Sequence, residues 1–284
     1  MTLQDKIMVI TGGTRGYGSA GAREALAAGA TVIISGRSQE SVDSALGKLT
    51  EFGDRIHGIP CDVSVEAQVH ALADQVVERF GRIDIWLNNA GFSPAAGVIH
   101  EFPPQAFEQT FRVNCLGAVH GTQAALKHML PRRAGVLAFT YGNGSFLRPA
   151  SPTGPYGASK AWLTSFTRTL AKDLQGSGIR IFGFSPGMML TDMLTTPTVI
   201  GERGKEMLKN YGFVLRFLGQ PPEKPARKFV HMLGNLKKDF VEYRVFKPWT
   251  PFLGLLKVGW ENLTGQGETP EFELTFEPPY RFEE

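Results

Sequence analysis

The chain has 284 residues, of which 42% are hydrophobic and 20% charged, and its 30 Lys and Arg residues against 27 Asp and Glu residues give a net charge of +3. This length predicts one large domain with its own core, and so small and scattered a positive charge gives no reason to expect a nucleic-acid partner. Cys61 and Cys115 lie far apart in the chain, so they form neither a disulfide framework nor a metal site of zinc-ligand spacing, which is typical of a reducing compartment.

The sequence shows the pattern of neither a membrane span nor a signal peptide. No stretch approaches the ~20 consecutive apolar residues of a membrane span, and the first residues, Met1 to Lys6, lack the apolar core of a signal peptide. We therefore expect a globular cytoplasmic protein.

Short apolar runs alternate with longer helical patterns along most of the chain. The predicted strands are Ile7 to Ile10, Thr31 to Ser35, Ile56 to Pro60, Ile83 to Leu87, Val136 to Phe139 and Ile179 to Phe184. The predicted helices between them are Gly16 to Ala28, Ser38 to Glu51, Ser64 to Phe80, Pro104 to Leu130 and Tyr156 to Gln175. Strands that are apolar on both faces belong to parallel sheets covered by helices. The alternation predicts an α/β fold, a Rossmann-type doubly wound parallel sheet flanked by helices, in a single domain that spans residues 1–284.

The alternation weakens after Thr191. We predict an irregular or helical insertion over residues 195–219, one more helix from Pro222 to Leu233 and a last strand from Val241 to Phe246. Residues 247–284 form a C-terminal extension rich in Pro, Trp and Phe that fits neither the helical nor the strand pattern well.

A glycine-rich turn follows the first predicted strand and leads into the first predicted helix. Its residues are Gly12, Gly13, Thr14, Arg15, Gly16, Tyr17 and Gly18. Glycines in this context form a tight turn and let the backbone approach a pyrophosphate, which the helix N-terminus attracts through its unpaired N–H groups. The pattern predicts a dinucleotide site.

The end of the second strand indicates which dinucleotide binds. An NAD site usually carries Asp or Glu there to bind the adenosine ribose, whereas this chain carries Ser35, Arg37 and Ser38, with Arg15 in the glycine turn. Two guanidinium groups suit a dianionic 2′-phosphate. We therefore expect NADP(H) in preference to NAD(H).

Tyr156 and Lys160 are four residues apart on one predicted helix and so share a face. A phenol with a pKa of ~10 exchanges protons poorly at neutral pH, and a neighbouring ammonium lowers that pKa. The pair is a candidate for acid–base catalysis.

Several motifs together resemble those of the short-chain dehydrogenase/reductase family, in the right order from about Lys6 to Met193. They are the glycine turn, Asp62, the run Asn88-Asn89-Ala90-Gly91, Asn114, Tyr156 with Lys160, and Pro186-Gly187. The resemblance implies that Tyr156 exchanges the proton of the substrate oxygen, that Lys160 binds the nicotinamide ribose, and that Asn114 holds a water that connects Lys160 to solvent. It further implies contacts of Asp62 and Val63 with the adenine, of Asn89, Ala90 and Gly91 with the ribose and cofactor path, and of Pro186, Gly187, Met189 and Thr191 with the nicotinamide end.

One catalytic position departs from the family pattern. A serine is usual thirteen residues before the tyrosine, where this chain has Asn143, while Ser145 stands eleven residues before it. Either side chain has a hydrogen-bond donor for the substrate oxygen. We predict Ser145, because the glycines at 142 and 144 permit a bulge that brings it into place, with Asn143 as the alternative.

The resemblance places the substrate lid at residues 195–219, where methionines such as Met193 and Met207 suit an adaptable apolar pocket. The segment Pro186 to Leu194, the turn at Ser145 and the aromatic tail are more weakly similar to the chlorophyll b reductase branch of the family. The apolar residues of the tail either pack on the sheet edge or on a second subunit, or form a substrate wall or a membrane-surface patch.

We therefore expect an NADP(H)-dependent oxidoreductase that transfers a hydride between nicotinamide and a carbonyl or secondary alcohol group of a bulky apolar small molecule, without a metal. Two other hypotheses remain: a non-catalytic NADP(H)-binding sensor or structural subunit, and a reductase of a lipid-soluble pigment or ketone at a membrane surface. The resemblance implies a homodimer or homotetramer through the helices at Pro104 to Leu130 and Tyr156 to Gln175.

Overall fold

The structure, a computed structural model, describes residues 2–264 and 268–281. Its centre is a seven-stranded parallel sheet with the strand order β3-β2-β1-β4-β5-β6-β8. The strands are β1 (Ile7–Ile10), β2 (Thr31–Gly36), β3 (Ile56–Pro60), β4 (Ile85–Asn88), β5 (Gly135–Thr140), β6 (Ile179–Ser185) and β8 (Phe240–Arg244). The order reverses between β1 and β4, the point at which doubly wound sheets bind their ligands.

Helices cover both faces of this sheet. They are α1 (Gly16–Ala27), α2 (Gln39–Gly47), α3 (Glu66–Phe80), α4 (Pro104–Phe111), α5 (Gly117–Met129), α6 (Gly154–Asp173) and α10 (Glu223–Gly234). Consecutive residues of β1 point into opposite cores: Met8 and Ile10 pack with the side chains of α1 and α10, and Ile7 and Val9 with those of α3, α5 and α6. Two cores explain why the strands are apolar on both faces.

Some predicted boundaries differ from those in the structure. The helix predicted from Ser38 to Glu51 ends at Gly47, and a 3-10 helix (Thr50–Arg55) follows it. The helix predicted from Pro104 to Leu130 is divided into α4 and α5 by a π-helical turn, Arg112–Leu116, which holds Asn114. A π turn inserts an extra residue and reorients the side chains beside it, and it often marks a functional site.

The predicted lid region, residues 195–219, is mostly regular structure. It contains the end of α7 (Asp192–Thr195), then β7 (Thr198–Ile200), α8 (Gly201–Met207) and α9 (Tyr211–Leu218). Beyond the main sheet, the tail forms α11 (Thr250–Thr264) and β9 (Thr275–Glu277), and β9 pairs in parallel with β7.

Helix α11 packs on α9 of the lid region. Within residues 2–264 and 268–281, no helix combines the length and the apolar character that crossing a membrane requires.

Candidate active site

The glycine turn lies at the carboxyl end of β1 and is fixed from the neighbouring strand. Gly12 has a positive φ of 61°, and a Cβ on it would lie 2.8 Å from the Cα of Ala90, so only glycine fits. The Asn89 side-chain amide donates to the carbonyl oxygens of Thr11 (3.0 Å) and Gly12 (2.9 Å), and it accepts from the Thr140 hydroxyl at 3.1 Å. The Asn89 side chain therefore holds the turn in shape, which is a different task from the predicted ribose contact.

The first turn of α1 leaves backbone N–H groups free to bind an anion. α1 begins at Gly16, directly after the glycine turn. The Tyr17 side chain points away from this site, because its ring is buried and stacks on Phe184 with a centroid distance of 6.3 Å. The predicted contact of Tyr17 with the cofactor is thus limited to its backbone. Thr14 lies beside the end of β2, where a Cβ on Gly36 would be 2.6 Å from its methyl carbon.

Some polar side chains at the end of β2 have no hydrogen-bond partner among the described residues. Ser35 is fully buried and its hydroxyl has no partner. Arg37 is exposed and makes no ion pair or hydrogen bond within the described part of the chain. The Ser38 hydroxyl caps α2 by accepting from the Ser41 N–H at 3.2 Å. Among these residues and those of the glycine turn, no carboxylate is present.

Arg15 is paired with Asp192, a residue just before the predicted lid region. Its guanidinium lies 3.3 Å from the Asp192 carboxylate at the start of α7, with both side chains exposed. A Cβ on Gly16 would lie 3.4 Å from the Thr191 methyl carbon. The glycine turn and the segment predicted to meet the nicotinamide end are therefore in contact.

The predicted adenine residues follow β3. One Asp62 carboxylate oxygen accepts from the Ser64 N–H (2.9 Å) and hydroxyl (2.7 Å), which shapes the loop. Val63 is buried against Gly117 at the start of α5. Both residues lie on the same carboxyl edge of the sheet as the glycine turn.

The segment after β6 takes its shape from Gln220. The Gln220 side chain donates to the Pro186 carbonyl oxygen at 2.9 Å, and its backbone bonds to Met188 and Leu190. Gly187 has a φ of 84°, and a Cβ on it would lie 2.6 Å from the Phe246 ring. Met189 is partly buried on the core, and Thr191 precedes α7. Nothing in the sequence pattern identified Gln220.

Lys160 and Tyr156 lie one turn apart near the start of α6, where Pro155 occupies a favourable first-turn position. Lys160 is only 3% exposed; its Nζ donates to the Thr140 carbonyl oxygen at 2.9 Å and lies 5.5 Å from the centre of the Tyr156 ring. Burial lowers the pKa of Lys160 to about 8 and raises the pKa of Tyr156 to about 12. The phenol is therefore protonated at neutral pH, and the ammonium beside it gives up its proton readily.

Asn114 is buried in the π-helical turn, and all of its side-chain groups bond to protein. Its Oδ1 accepts from the Phe92 N–H at 2.7 Å, and its Nδ2 donates to the Phe92 carbonyl oxygen and the Ser159 hydroxyl, both at 2.9 Å. A Cβ on Gly91 would lie 3.7 Å from Asn114 Oδ1 and 3.8 Å from Lys160 Nζ. Asn114 thus connects the Gly91 loop to α6 beside the catalytic pair.

A small internal cavity of about 10 Å³ adjoins this connection. Asn88, Asn114, Lys160 and Leu163 are among the residues that line it. The Asn88 Oδ1 accepts from the Trp86 ring at 3.1 Å, while its buried Nδ2 has no partner.

The loop after β5 brings Gly142 against Tyr156, because a Cβ on Gly142 would overlap the Tyr156 hydroxyl oxygen. Ser145 is buried; its hydroxyl donates to the Lys160 carbonyl oxygen at 3.2 Å and accepts from the Gly142 N–H at 3.3 Å. Asn143 is exposed. The glycine-permitted turn predicted from the sequence is present, with a φ of 92° at Gly144, but it directs the Ser145 proton towards the backbone of α6.

Comparison with known proteins gives consistent matches. The model of the family described as short chain dehydrogenase matches residues 6–198. A 3alpha-hydroxysteroid dehydrogenase of Mediterraneibacter gnavus is 36% identical over 196 residues, which are 68% of this chain and 78% of that protein. The chloroplastic chlorophyll(ide) b reductase NOL of Arabidopsis thaliana is 30% identical over 269 residues, 89% of this chain and 74% of that protein.

Among solved structures, the 3-ketoacyl-(acyl-carrier-protein) reductase of Brucella melitensis complexed with NADH matches with a TM-score of 0.73 and 25% sequence identity. The match covers 86% of this chain and 97% of that chain.

Proposed function

Since this chain belongs to the short-chain dehydrogenase family, and so is an oxidoreductase of alcohol or carbonyl groups that uses a nicotinamide cofactor, we propose that it interconverts a bulky apolar carbonyl compound and its alcohol with NADP(H). The observation that carries this proposal is the buried Lys160 beside a protonated Tyr156 at the carboxyl edge of the sheet. An acid and a proton source side by side are what carbonyl reduction needs.

In the reducing direction, the Tyr156 hydroxyl donates its proton to the carbonyl oxygen of the substrate as that oxygen gains negative charge. The phenolate left on Tyr156 then takes a proton from the Lys160 ammonium, whose lowered pKa of about 8 favours the transfer. In the oxidising direction, the same groups pass the proton the other way.

The residues of the turn and of the β2 end fit a dinucleotide. Gly12 permits close approach of a pyrophosphate, and the free N–H groups at the start of α1 face the same edge of the sheet. When bound, the cofactor supplies or accepts the hydride. The chain's own residues orient it: the segment Pro186 to Thr191, fixed by Gln220, would hold the nicotinamide end.

The preference for NADP(H) rests on the end of β2. Arg37 is exposed and unpaired within the described residues, the buried Ser35 hydroxyl has no partner, and Ser38 adds a second hydroxyl. A 2′-phosphate would pair with Arg37 and the Ser38 hydroxyl without meeting a carboxylate, whereas the Ser35 hydroxyl lies below the surface. Arg15 already has a partner in Asp192, so Arg37 is the principal phosphate ligand in this proposal.

The volume of the small cavity is about the minimum that one water molecule needs. A water there would accept from the orphaned Nδ2 of Asn88 and lie close to Lys160. This arrangement would return a proton to Lys160 after each reduction. Asn114 contributes by fixing the wall of the cavity, because its own side-chain groups are already bonded to protein.

For the donor to the substrate oxygen, the geometry reverses the order of the two candidates. A serine has one proton, and that of Ser145 is directed at the Lys160 carbonyl oxygen. Asn143 is exposed and adjoins Gly142, which touches the Tyr156 hydroxyl. We therefore assign the donor role to Asn143, with Ser145 as a positioning residue that holds the Gly142 turn against α6.

The proposed substrate is large and apolar because the segments that we propose to border the site expose apolar side chains. The lid region contributes exposed Met207 and Phe213, while Met193 precedes it and Leu147 follows the catalytic loop. The two relatives are named for a hydroxysteroid and for chlorophyll(ide) b, both polycyclic compounds.

We also propose a homodimer that forms through α4, α5 and α6. The exposed parts of Phe107 and Phe111 on α4 would be buried in that interface.

The test is NADPH oxidation measured against a panel of polycyclic ketones, small aldehydes and quinones, with Tyr156→Phe as the control. We expect turnover of the larger ketones that falls at least a hundredfold in Tyr156→Phe, while the variant still binds NADPH. Binding of NADPH without turnover of any compound in the panel would favour a sensor, and activity that persists in the variant would overturn the assigned proton donor.

A further inference from the structure

Helix α11 exposes its large apolar side chains and buries its small ones, the reverse of an ordinary surface helix. It packs on α9 through Gly254 and Val258, and a Cβ on Gly254 would lie 2.7 Å from the Phe217 ring. At 3.6 residues per turn, the opposite side carries residues that are all more than half exposed, which we call the outer face: Phe252, Leu253, Leu255, Leu256, Trp260 and Leu263.

The charged groups of α11 lie off the outer face and are already paired. Glu261 lies 3.0 Å from the guanidinium of Arg216 on α9, which also donates to Asn262 at 2.8 Å. Lys257 donates to the Arg216 carbonyl oxygen at 3.2 Å and lies 3.6 Å from Glu261. As a result the outer face carries no carboxylate, and its border has an excess of positive charge, because Arg216 and Lys257 both pair with the one carboxylate of Glu261 and Lys247 lies just before the helix.

We propose that the outer face docks on a lipid surface, with α11 lying in the plane of the membrane interface. Fifteen residues make a helix about 22 Å long, which suits a helix lying on a bilayer rather than crossing it. Trp260 on the outer face and Trp249 just before the helix are both well exposed, and tryptophan favours the boundary between headgroups and acyl chains. The bordering lysines match the negative charge of anionic headgroups.

A lipid surface fits the outer face better than a protein partner does. Specific protein interfaces combine an apolar centre with direct hydrogen bonds to polar groups. The outer face offers apolar side chains only, and the polar side chains beside it are engaged with α9. Apolar area and a positive border are the two features that interfacial helices need.

Docking would bring the lid region to the lipid surface. α11 rests on α9, whose Phe213 is half exposed. An apolar substrate dissolved in the bilayer would then enter beneath the lid without crossing water. This consequence rests on the proposed function, whereas docking itself does not, because it is measured without turnover.

The experiment is flotation of the full chain with vesicles of phosphatidylcholine alone and with vesicles that also contain one quarter phosphatidylglycerol. We expect the chain to float with both kinds, three- to tenfold more tightly with the anionic vesicles at low salt. Leu256→Asp, which charges the centre of the outer face, should weaken binding at least tenfold. Asn262→Asp adds the same charge to the flank of the helix beside Arg216, and on neutral vesicles it should bind like the parent protein.

Tryptophan emission gives a second measurement, in which Trp260→Phe should lose a large part of the blue shift that vesicles induce, the remainder coming from Trp249, while far-UV circular dichroism stays unchanged. The proposal is overturned if the parent protein floats with neither vesicle, or if Leu256→Asp and Asn262→Asp bind equally. A parent that stays off vesicles but forms an oligomer that Leu256→Asp dissociates, by light scattering, would make the outer face an interface between copies and also overturn it. Turnover of soluble ketones by Leu256→Asp tests the proposed function separately.

Discussion

The Tyr156 hydroxyl oxygen lies against the Cα of Gly142, so close that a side chain at position 142 would occupy its place. This contact fixes where the proton donor stands relative to the loop that follows β5. It also explains why position 142 requires a glycine.

Gly142→Ala should therefore displace Tyr156 and lower kcat at least a hundredfold, because a shift of about 1 Å in a catalytic group has an effect of that order. The dissociation constant for NADPH should change little. The matched control is Gly47→Ala at the end of α2, where a Cβ meets nothing within 4 Å. Steady-state kinetics and NADPH fluorescence check both statements, and a fully active Gly142→Ala would show that the contact is not required.

The buried Lys160 should make the free energy of unfolding depend on pH. Its pKa is about 8 in the folded chain against ~10.4 when unfolded, so between these values the unfolded chain binds the extra proton and stability rises with pH. The difference in unfolding free energy between the parent and Lys160→Met should grow in favour of the parent by about 3 kcal/mol from pH 7 to pH 10.5. Urea denaturation of both proteins across this range measures it, and a difference that stays constant with pH would contradict the lowered pKa.

Arg37→Asp should change the cofactor preference. The substitution removes a charge-assisted bond to the 2′-phosphate and adds a repulsive carboxylate, which should weaken NADPH binding at least tenfold and strengthen NADH binding. Arg15→Ala is the comparison, because Arg15 is paired with Asp192 and should have the smaller effect. Titration of both variants with both cofactors decides it. If Arg15→Ala loses more NADPH affinity than Arg37→Asp, the phosphate is bound from the glycine turn.

Asn143→Ala should lower activity, whereas Ser145→Ala should lower the free energy of unfolding. Loss of the Asn143 amide should lower kcat about a hundredfold or more with little change in stability, as expected for a donor to a developing oxyanion. Loss of the buried Ser145 hydroxyl leaves the Gly142 N–H and the Lys160 carbonyl oxygen without this partner, which should cost about 1–3 kcal/mol of unfolding free energy. A larger kcat loss in Ser145→Ala, with stability intact, would return the donor role to Ser145.

The sequence predicted the fold and the family, and both are confirmed. Local sequence patterns were sufficient, because a short apolar run predicts each buried strand and the glycine pattern predicts the turn. Residues Ile7 to Gly18 contain one example of each. The relation to chlorophyll b reductases is likewise confirmed by the match with the Arabidopsis protein.

The parts that could not be predicted depend on contacts between distant residues. The hydrogen bond from Ser145 to Lys160, the partnership of Asn114 with Phe92 and the role of Gln220 all arise from packing, for which residue spacing gives no signal. The tail is a similar case: its sequence fits no regular pattern well, and only the contact of Gly254 with α9 shows which side of α11 is left uncovered.

The pairing of β9 with β7 ties the tail to the lid, although the two strands stand far apart in the chain. In the proposed function, this pairing lets the tail influence which substrates enter beneath the lid, through three backbone pairs that do not depend on the identity of the side chains. Substitutions in the tail would then alter substrate choice without changing the residues that we propose to bind the dinucleotide and to move the proton.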